Sequence, residues 1–155
     1  MNSVRYFEDF KRSWDVVKSQ NDDPILVVCP KCQSKALILP DTEHGRRCVC
    51  TKCSFYKSQT DKNFWIGTRK NVSTNNFFYL ELWLHTEFYG NTLYACTQEH
   101  LNLLESYIKA DLRERRQDEY GWRNSSLISR LPKWIKSHKN REQLLKAIQK
   151  LRKKL

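Results

Sequence analysis

Apolar residues recur every three or four positions at Val4, Phe7, Phe10, Trp14 and Val17, the spacing of one helix face. This predicts a helix over residues 3–20, capped by Ser3 and stopped at Asn21-Asp22-Asp23-Pro24, with its apolar face packed on the rest of the chain. The pattern then changes. Ile25–Val28 and Ala36–Leu39 are short β-rich runs, Pro40-Asp41 and Glu43-His44-Gly45 are turn residues, and Arg46–Val49 reads as a further strand. Residues 59–76 are mostly polar and read as a connection around Phe64-Trp65-Ile66. Phe77–Leu80 with Leu82, Leu84 and Thr86, the turn Tyr89-Gly90-Asn91, and Thr92–Cys96 predict an antiparallel hairpin rich in aromatics. Thr97 caps a helix carrying Leu101, Leu104, Tyr107, Ile108 and Leu112, with Gly121 as its stop. A short helix with Leu127, Ile128 and Leu131 follows, then one opened by Pro132 with Trp134 and Ile135 inward. Asn140 caps the last helix, with Gln143 as its capping-box partner and Leu144, Leu145, Ile148, Leu151 and Leu155 as its apolar stripe. The fold class is α+β, in four segments. Residues 1–24 form the N-terminal helix, 25–58 a cysteine module, 59–124 a hairpin plus long helix, and 125–155 a helical tail.

Charge changes this picture at the tail. The net charge of the 155-residue chain is +11. Residues 125–155 hold ten Lys/Arg against one Glu, a net +9, and residues 29–60 add +4. The remaining segments are near neutral. A cationic helix face has two readings of similar weight, a solvated surface and a footprint for phosphate. The preceding run of Arg130, Lys133, Lys136, His138 and Lys139 favours the second. The residues expected to touch nucleic acid, DNA or RNA, are therefore Arg130, Lys133, Lys136, Lys139, Arg141, Lys146, Lys150, Arg152, Lys153 and Lys154 in the tail. In the cysteine module they are Lys31, Lys35, Arg46, Arg47 and Lys52.

The chemistry is carried by cysteine. Five of the six cysteines fall within 25 residues, and four form two Cys-x-x-Cys pairs, Cys29/Cys32 and Cys50/Cys53, with 17 residues between them. That spacing is the mark of a four-thiolate zinc site, because each short turn aims two sulfurs at one centre. Cys48 shares a strand face with Cys50. It is assigned as a non-ligand because it would stretch the second pair to Cys-x4-Cys, with exchange for Cys50 as the alternative. A disulfide or redox pair is the other reading of the cluster. The chain opens without a signal-peptide pattern, which points to a reducing cytoplasm and against disulfides. Four thiolates close the coordination sphere, so the one Zn²⁺ expected is structural.

Residues 25–58, with Cys29, Cys32, Cys50 and Cys53, resemble the zinc-ribbon family. The order strand, knuckle, strand, turn, strand, knuckle is that of the family. The first knuckle keeps Pro30, whereas Gln33 and Ser54 stand where the family often has glycine. The resemblance implies hairpin edges that dock on polymerases, helicases and other assemblies. From about residue 77 onward the layout loosely resembles small uncharacterised bacterial proteins that carry an N-terminal zinc ribbon, and it implies no activity.

No apolar run approaches the roughly 20 residues of a membrane span, and no membrane or small-molecule partner is expected. No phosphate loop, His-Glu-x-x-His helix or nucleophile elbow occurs. Cys96 before a helix start, with His100 four residues on, is the one pair with catalytic potential. It lacks an orienting third group and reads as a buried strand cysteine beside a first-turn histidine. His44 and His85 have no partner pattern. The expectation is a non-enzymatic accessory or regulatory protein that binds zinc and nucleic acid. The alternative is an adaptor docking on a nucleic-acid-processing assembly.

Overall fold

The computed structural model describes residues 3–8, 16, 21–41, 45–60, 66–69, 72–75, 80–115 and 127–155. Its centre is an antiparallel sheet of β2 (Ile25–Val28), β3 (Lys35–Pro40), β4 (Gly45–Val49) and β5 (Tyr56–Thr60), in that order. Strand β2 is not an edge. Val27 bridges to Leu82, the Val28 N–H donates to the Glu81 carbonyl at 2.8 Å, and the Trp83 N–H donates to the Leu26 carbonyl at 2.9 Å. The Leu26 N–H reaches the Cys96 carbonyl at 2.9 Å.

Alternation along β2 therefore feeds two cores. Ile25 and Val27 point with Ala36, Ile38 and Cys48 into a cluster that includes Cys29, Cys50, Leu82 and Cys96. Leu26 points the other way, into a core built with Leu84, Phe88, Leu93, Leu101, Leu104, Ile108, Leu144, Ile148 and Leu151. A strand with both faces covered reads as a continuous apolar run, as Ile25–Val28 does.

The expected hairpin is present as β8 (Leu84–Phe88) and β9 (Asn91–Ala95). Its central residues Tyr89 and Gly90 both have positive φ, 45° and 76°. This is the requirement of a type I′ turn, and glycine meets it without steric cost. Residues 77–79, expected in the first strand, lie outside the described residues. The segment expected as a connection instead holds a second hairpin, β6 (Ile66–Arg69) with β7 (Val72–Asn75).

Thr97 caps α1 (Gln98–Lys109), its hydroxyl oxygen accepting the His100 N–H at 3.0 Å and its hydroxyl donating to the Val16 carbonyl. The helix was expected to run on past Leu112 towards Gly121. It ends at Ala110, and Leu112–Arg115 forms β10. The N-terminal segment supplies the reason. Residues 5–8, expected as helix, form β1 (Arg5–Glu8), which pairs in parallel with β10, and the Asp111 N–H donates to the Val4 carbonyl at 2.8 Å. The remainder of the expected N-terminal helix, residues 9–15 and 17–20, lies outside the described residues. Tyr6 packs edge-on against Tyr107 at 5.5 Å, and the Arg113 guanidinium sits 4.2 Å from the Tyr107 ring centre. Helical periodicity is overridden here by a non-local strand pair.

In the tail, Leu127–Arg130 is a turn, not a helix. Pro132 precedes α2 (Lys133–Lys136), a 3₁₀ turn covers His138–Asn140, and α3 spans Arg141–Arg152. Ile135 is buried and Trp134 stacks on Phe88 at 5.3 Å. The expected capping box at Asn140 does not form. The Asn140 Nδ2 donates to the Trp134 carbonyl at 2.9 Å, and its backbone is already helical. The stripe on α3 holds as expected at Leu144, Ile148 and Leu151, which are fully buried. Among the described residues no helix is long and apolar enough to cross a membrane.

Candidate metal centre

The loops β2–β3 and β4–β5 present the two Cys-x-x-Cys turns at the same end of the sheet. They are built alike. In the first, the Cys29 N–H donates to the Ser34 carbonyl at 2.7 Å and the Gln33 N–H to the Cys29 carbonyl at 3.0 Å. In the second, the Cys50 N–H donates to the Phe55 carbonyl at 2.9 Å. Each turn closes through a residue in left-handed backbone, Gln33 at φ 61° and Ser54 at φ 59°. These are the two positions where the sequence departs from glycine, so the knuckle geometry persists against a side chain that disfavours it.

Cys29, Cys32, Cys50 and Cys53 place their sulfurs within 4.8 Å of one another. The Cys29–Cys53 and Cys32–Cys50 Sγ separations are both 3.6 Å. A tetrahedron of sulfurs about 2.3 Å from a central ion has edges of about 3.8 Å, so the four groups fit a tetrahedral metal. A disulfide requires about 2.05 Å, and all four cysteines are free thiols. Cys29 and Cys50 are buried while Cys32 and Cys53 are partly exposed. Cys48 is outside the group. It lies under the sheet in the apolar cluster, and burial pushes its thiol up to about 11.

The Ser34 backbone N–H and hydroxyl bring the Cys32 thiol down to about 6, while burial pushes Cys53 up to about 12. Crowded sulfurs cannot all ionise unless a positive charge joins them. The Cys50 sulfur also lies 3.8 Å from the Lys35 carbonyl. Ser34 was not foreseen in this role, and nothing in a lone serine after a cysteine pair signals it.

The pair Cys96 and His100 is buried. The Cys96 N–H donates to His100 Nδ1 at 3.1 Å, so the ring is engaged by a backbone amide. Burial raises the Cys96 thiol far above its ordinary value and lowers His100 to about 4. The pair is thus a protonated thiol beside a neutral imidazole, both out of solvent.

The cationic side chains divide into two groups. Several are engaged within the fold. Arg152 bonds Glu105 through Nε at 2.9 Å and through Nη2, and Nη2 also reaches Asn102 Oδ1 at 2.8 Å. Arg141 pairs with Asp111 at 2.6 Å and bonds the Lys109 carbonyl. Lys136 donates to the Ser129 carbonyl at 2.7 Å. Lys154 donates to the Trp83 and His85 carbonyls at 3.3 and 3.2 Å. Lys35 donates to the Leu155 carbonyl at 2.5 Å. Lys31, Lys52, Lys133, Lys139, Lys146, Lys150 and Lys153 are exposed, and so is Arg130, which also has a partner within the fold. Arg46 and Arg47 are half-buried and, as neighbours on β4, leave on opposite faces of the sheet.

Comparison of the chain with protein-family models, with curated proteins and with solved structures finds no match. What is established of the site therefore rests on its own geometry: four cysteines from two matching turns form a cluster able to hold a metal ion.

Proposed function

We propose that the cysteine cluster is a structural Zn²⁺ centre of the zinc-ribbon kind and that the protein is a non-enzymatic, cytoplasmic accessory factor that binds nucleic acid. Four soft thiolates in a tetrahedron suit zinc and leave no coordination position for water or substrate. Zinc bound there ties the two turns together and fixes the open end of the sheet. Cys29 and Cys50 would hold it from within, Cys32 and Cys53 from the solvent side.

One observation carries the nucleic-acid reading. The C-terminal end of α3 is seated on the sheet: Lys35 Nζ bonds the Leu155 carbonyl at 2.5 Å and Trp83 Nε1 bonds the Lys154 carbonyl at 2.9 Å. The two segments that hold the charge excess thus meet. Lys150 and Lys153 are exposed next to that junction in the chain, and Lys31 and Lys52 are exposed on the knuckles of the same sheet. Contacts of this kind go to phosphates and give affinity without sequence choice.

The test is binding of a labelled duplex against salt. With about six phosphates neutralised, the log–log slope is expected near −5. No association of either the duplex or a single strand at low salt overturns the reading. A second reading, an adaptor on a larger assembly, is favoured by β5, which ends the four-stranded sheet and pairs only with β4 among the described residues. A discrete protein partner that survives nuclease treatment would support the adaptor over the nucleic-acid binder.

A further inference from the structure

The register of the four-stranded sheet sorts its residues into two faces of different character. Pairs across antiparallel strands share a face. Leu26–Leu37–Val49–Tyr56 form one row, and Leu39–Arg47–Ser58 form the next on the same side. On the other side Ile25, Val27, Ala36, Ile38 and Cys48 are fully buried, and only at its β5 end, with Pro40, Arg46, Lys57 and Gln59, does that side turn polar and reach solvent. Among the described residues the first side is covered at its β2 end, where Leu26 is buried and Leu37 packs against the helical core. Towards β4 and β5 the described residues leave it more exposed. Leu39, Arg47 and Val49 are half-exposed, and Tyr56 is 61 % exposed.

We infer that this open face binds single-stranded nucleic acid, with Tyr56 stacking on a base and Arg47 meeting the adjoining phosphate. The inference rests on the nucleic-acid reading above and narrows it to unpaired strands. Three features point to this ligand. A large aromatic ring left open on a sheet gives a base a π-face to stack on, and the bases of a duplex are already stacked within it. Arg47 lies diagonal to Tyr56 in the register, about 7–8 Å away by sheet geometry, close enough to reach the backbone of the stacked nucleotide. No strand residue on this face is acidic, and Lys35, on the same face, borders it beside the cationic end of α3. An apolar protein partner would gain little from the arginine, whereas a polyanion with aromatic bases uses both.

The experiment compares fluorescent single-stranded and duplex oligonucleotides of roughly 12 nucleotides on the full zinc-loaded chain. Single strands are expected to bind more tightly than the duplex. Tyr56→Leu is expected to weaken the single strand by roughly tenfold or more, with Tyr56→Phe close to wild type. Arg47→Gln is expected to reduce the single-strand salt slope by about 0.7. Zinc content and thermal unfolding of each variant confirm the fold. If Tyr56→Leu loses its metal, ultraviolet crosslinking of a single strand to the wild-type chain decides instead, with Tyr56 as the expected attachment site. Equal affinity for duplex and single strand with no effect of Tyr56→Leu overturns the inference and leaves the function standing. Binding of neither strand form overturns the function itself. A Tyr56-dependent dimer in sedimentation, without nucleic acid, would assign the face to a second copy and overturn the inference.

Discussion

Arg152 is the residue at which a reading from charge and a reading from contacts make opposite predictions. As one of several tail cations, its loss would weaken binding to an anion and leave stability alone. In the structure it is instead the partner of Glu105, a carboxylate on α1 that is 7 % exposed. Arg152→Ala removes Nε and Nη2 from that carboxylate and Nη2 from Asn102. Lys109 Nζ at 2.7 Å and Gln149 Nε2 at 3.2 Å remain. Breaking a fully buried ion pair costs about 3–5 kcal/mol. Because Arg152 is 31 % exposed and Lys109 persists, water and the lysine recover part of this, and about 2–3 kcal/mol is expected. The assay is urea unfolding at neutral pH with zinc in fixed excess, so that metal linkage is constant. Lys153→Ala, one residue on and exposed, is expected to change stability by less than about 0.5 kcal/mol. A cycle with Glu105→Gln should return a coupling of at least about 1 kcal/mol.

The pH profile supplies an independent arm. Burial works to raise the Glu105 carboxyl, but the bonds and charges of Lys109 and Arg152 outweigh it and hold the group below its ordinary 4.5. Its stabilising effect is therefore complete above 4.5 and is lost as pH falls through the lower folded value. That acid-side loss should shrink in Arg152→Ala. If Arg152→Ala and Lys153→Ala unfold at the same urea concentration as wild type, the packing argument for the α1–α3 pair is refuted.

Further outcomes follow from the metal turns and the buried histidine. Ser54→Gly should stabilise the zinc-loaded protein by about 0.5–1 kcal/mol, because glycine accepts the left-handed backbone that serine disfavours. Ser54→Val should destabilise it by at least about 1 kcal/mol, and thermal unfolding of the pair reads both. Cys50→Ser should lose stoichiometric zinc by native mass spectrometry and unfold the sheet, since structural zinc contributes on the order of 10 kcal/mol. Cys48→Ala should keep its zinc and cost about 1 kcal/mol for the small cavity. His100 is lowered from 6.5 to about 4 by burial, so it stabilises the fold while neutral. Stability should fall as pH drops below 6.5 and continue to fall to about 4, by up to about 3 kcal/mol. His100→Asn should flatten that limb, measured by urea unfolding at successive pH values.

What the chain alone determined is what depends on short-range chemistry. Two Cys-x-x-Cys turns at that spacing converge because each short turn aims its pair of sulfurs at one centre, and the four sulfurs do lie within 4.8 Å of one another. Thr97 at the start of α1 and Tyr89-Gly90 between β8 and β9 were likewise legible, since a cap and a positive-φ turn are satisfied by neighbouring residues. Tertiary contact decided the rest. The apolar spacing from Val4 to Val17 and the helical spacing reaching Leu112 carry no sign that residues 5–8 and 112–115 would find each other, more than a hundred positions apart. The row of tail cations gave no sign that Arg141 and Arg152 are committed to Asp111 and Glu105 while Lys146 and Lys150 face solvent. Charge is a property of composition, but whether a charge is available is set by what folds against it.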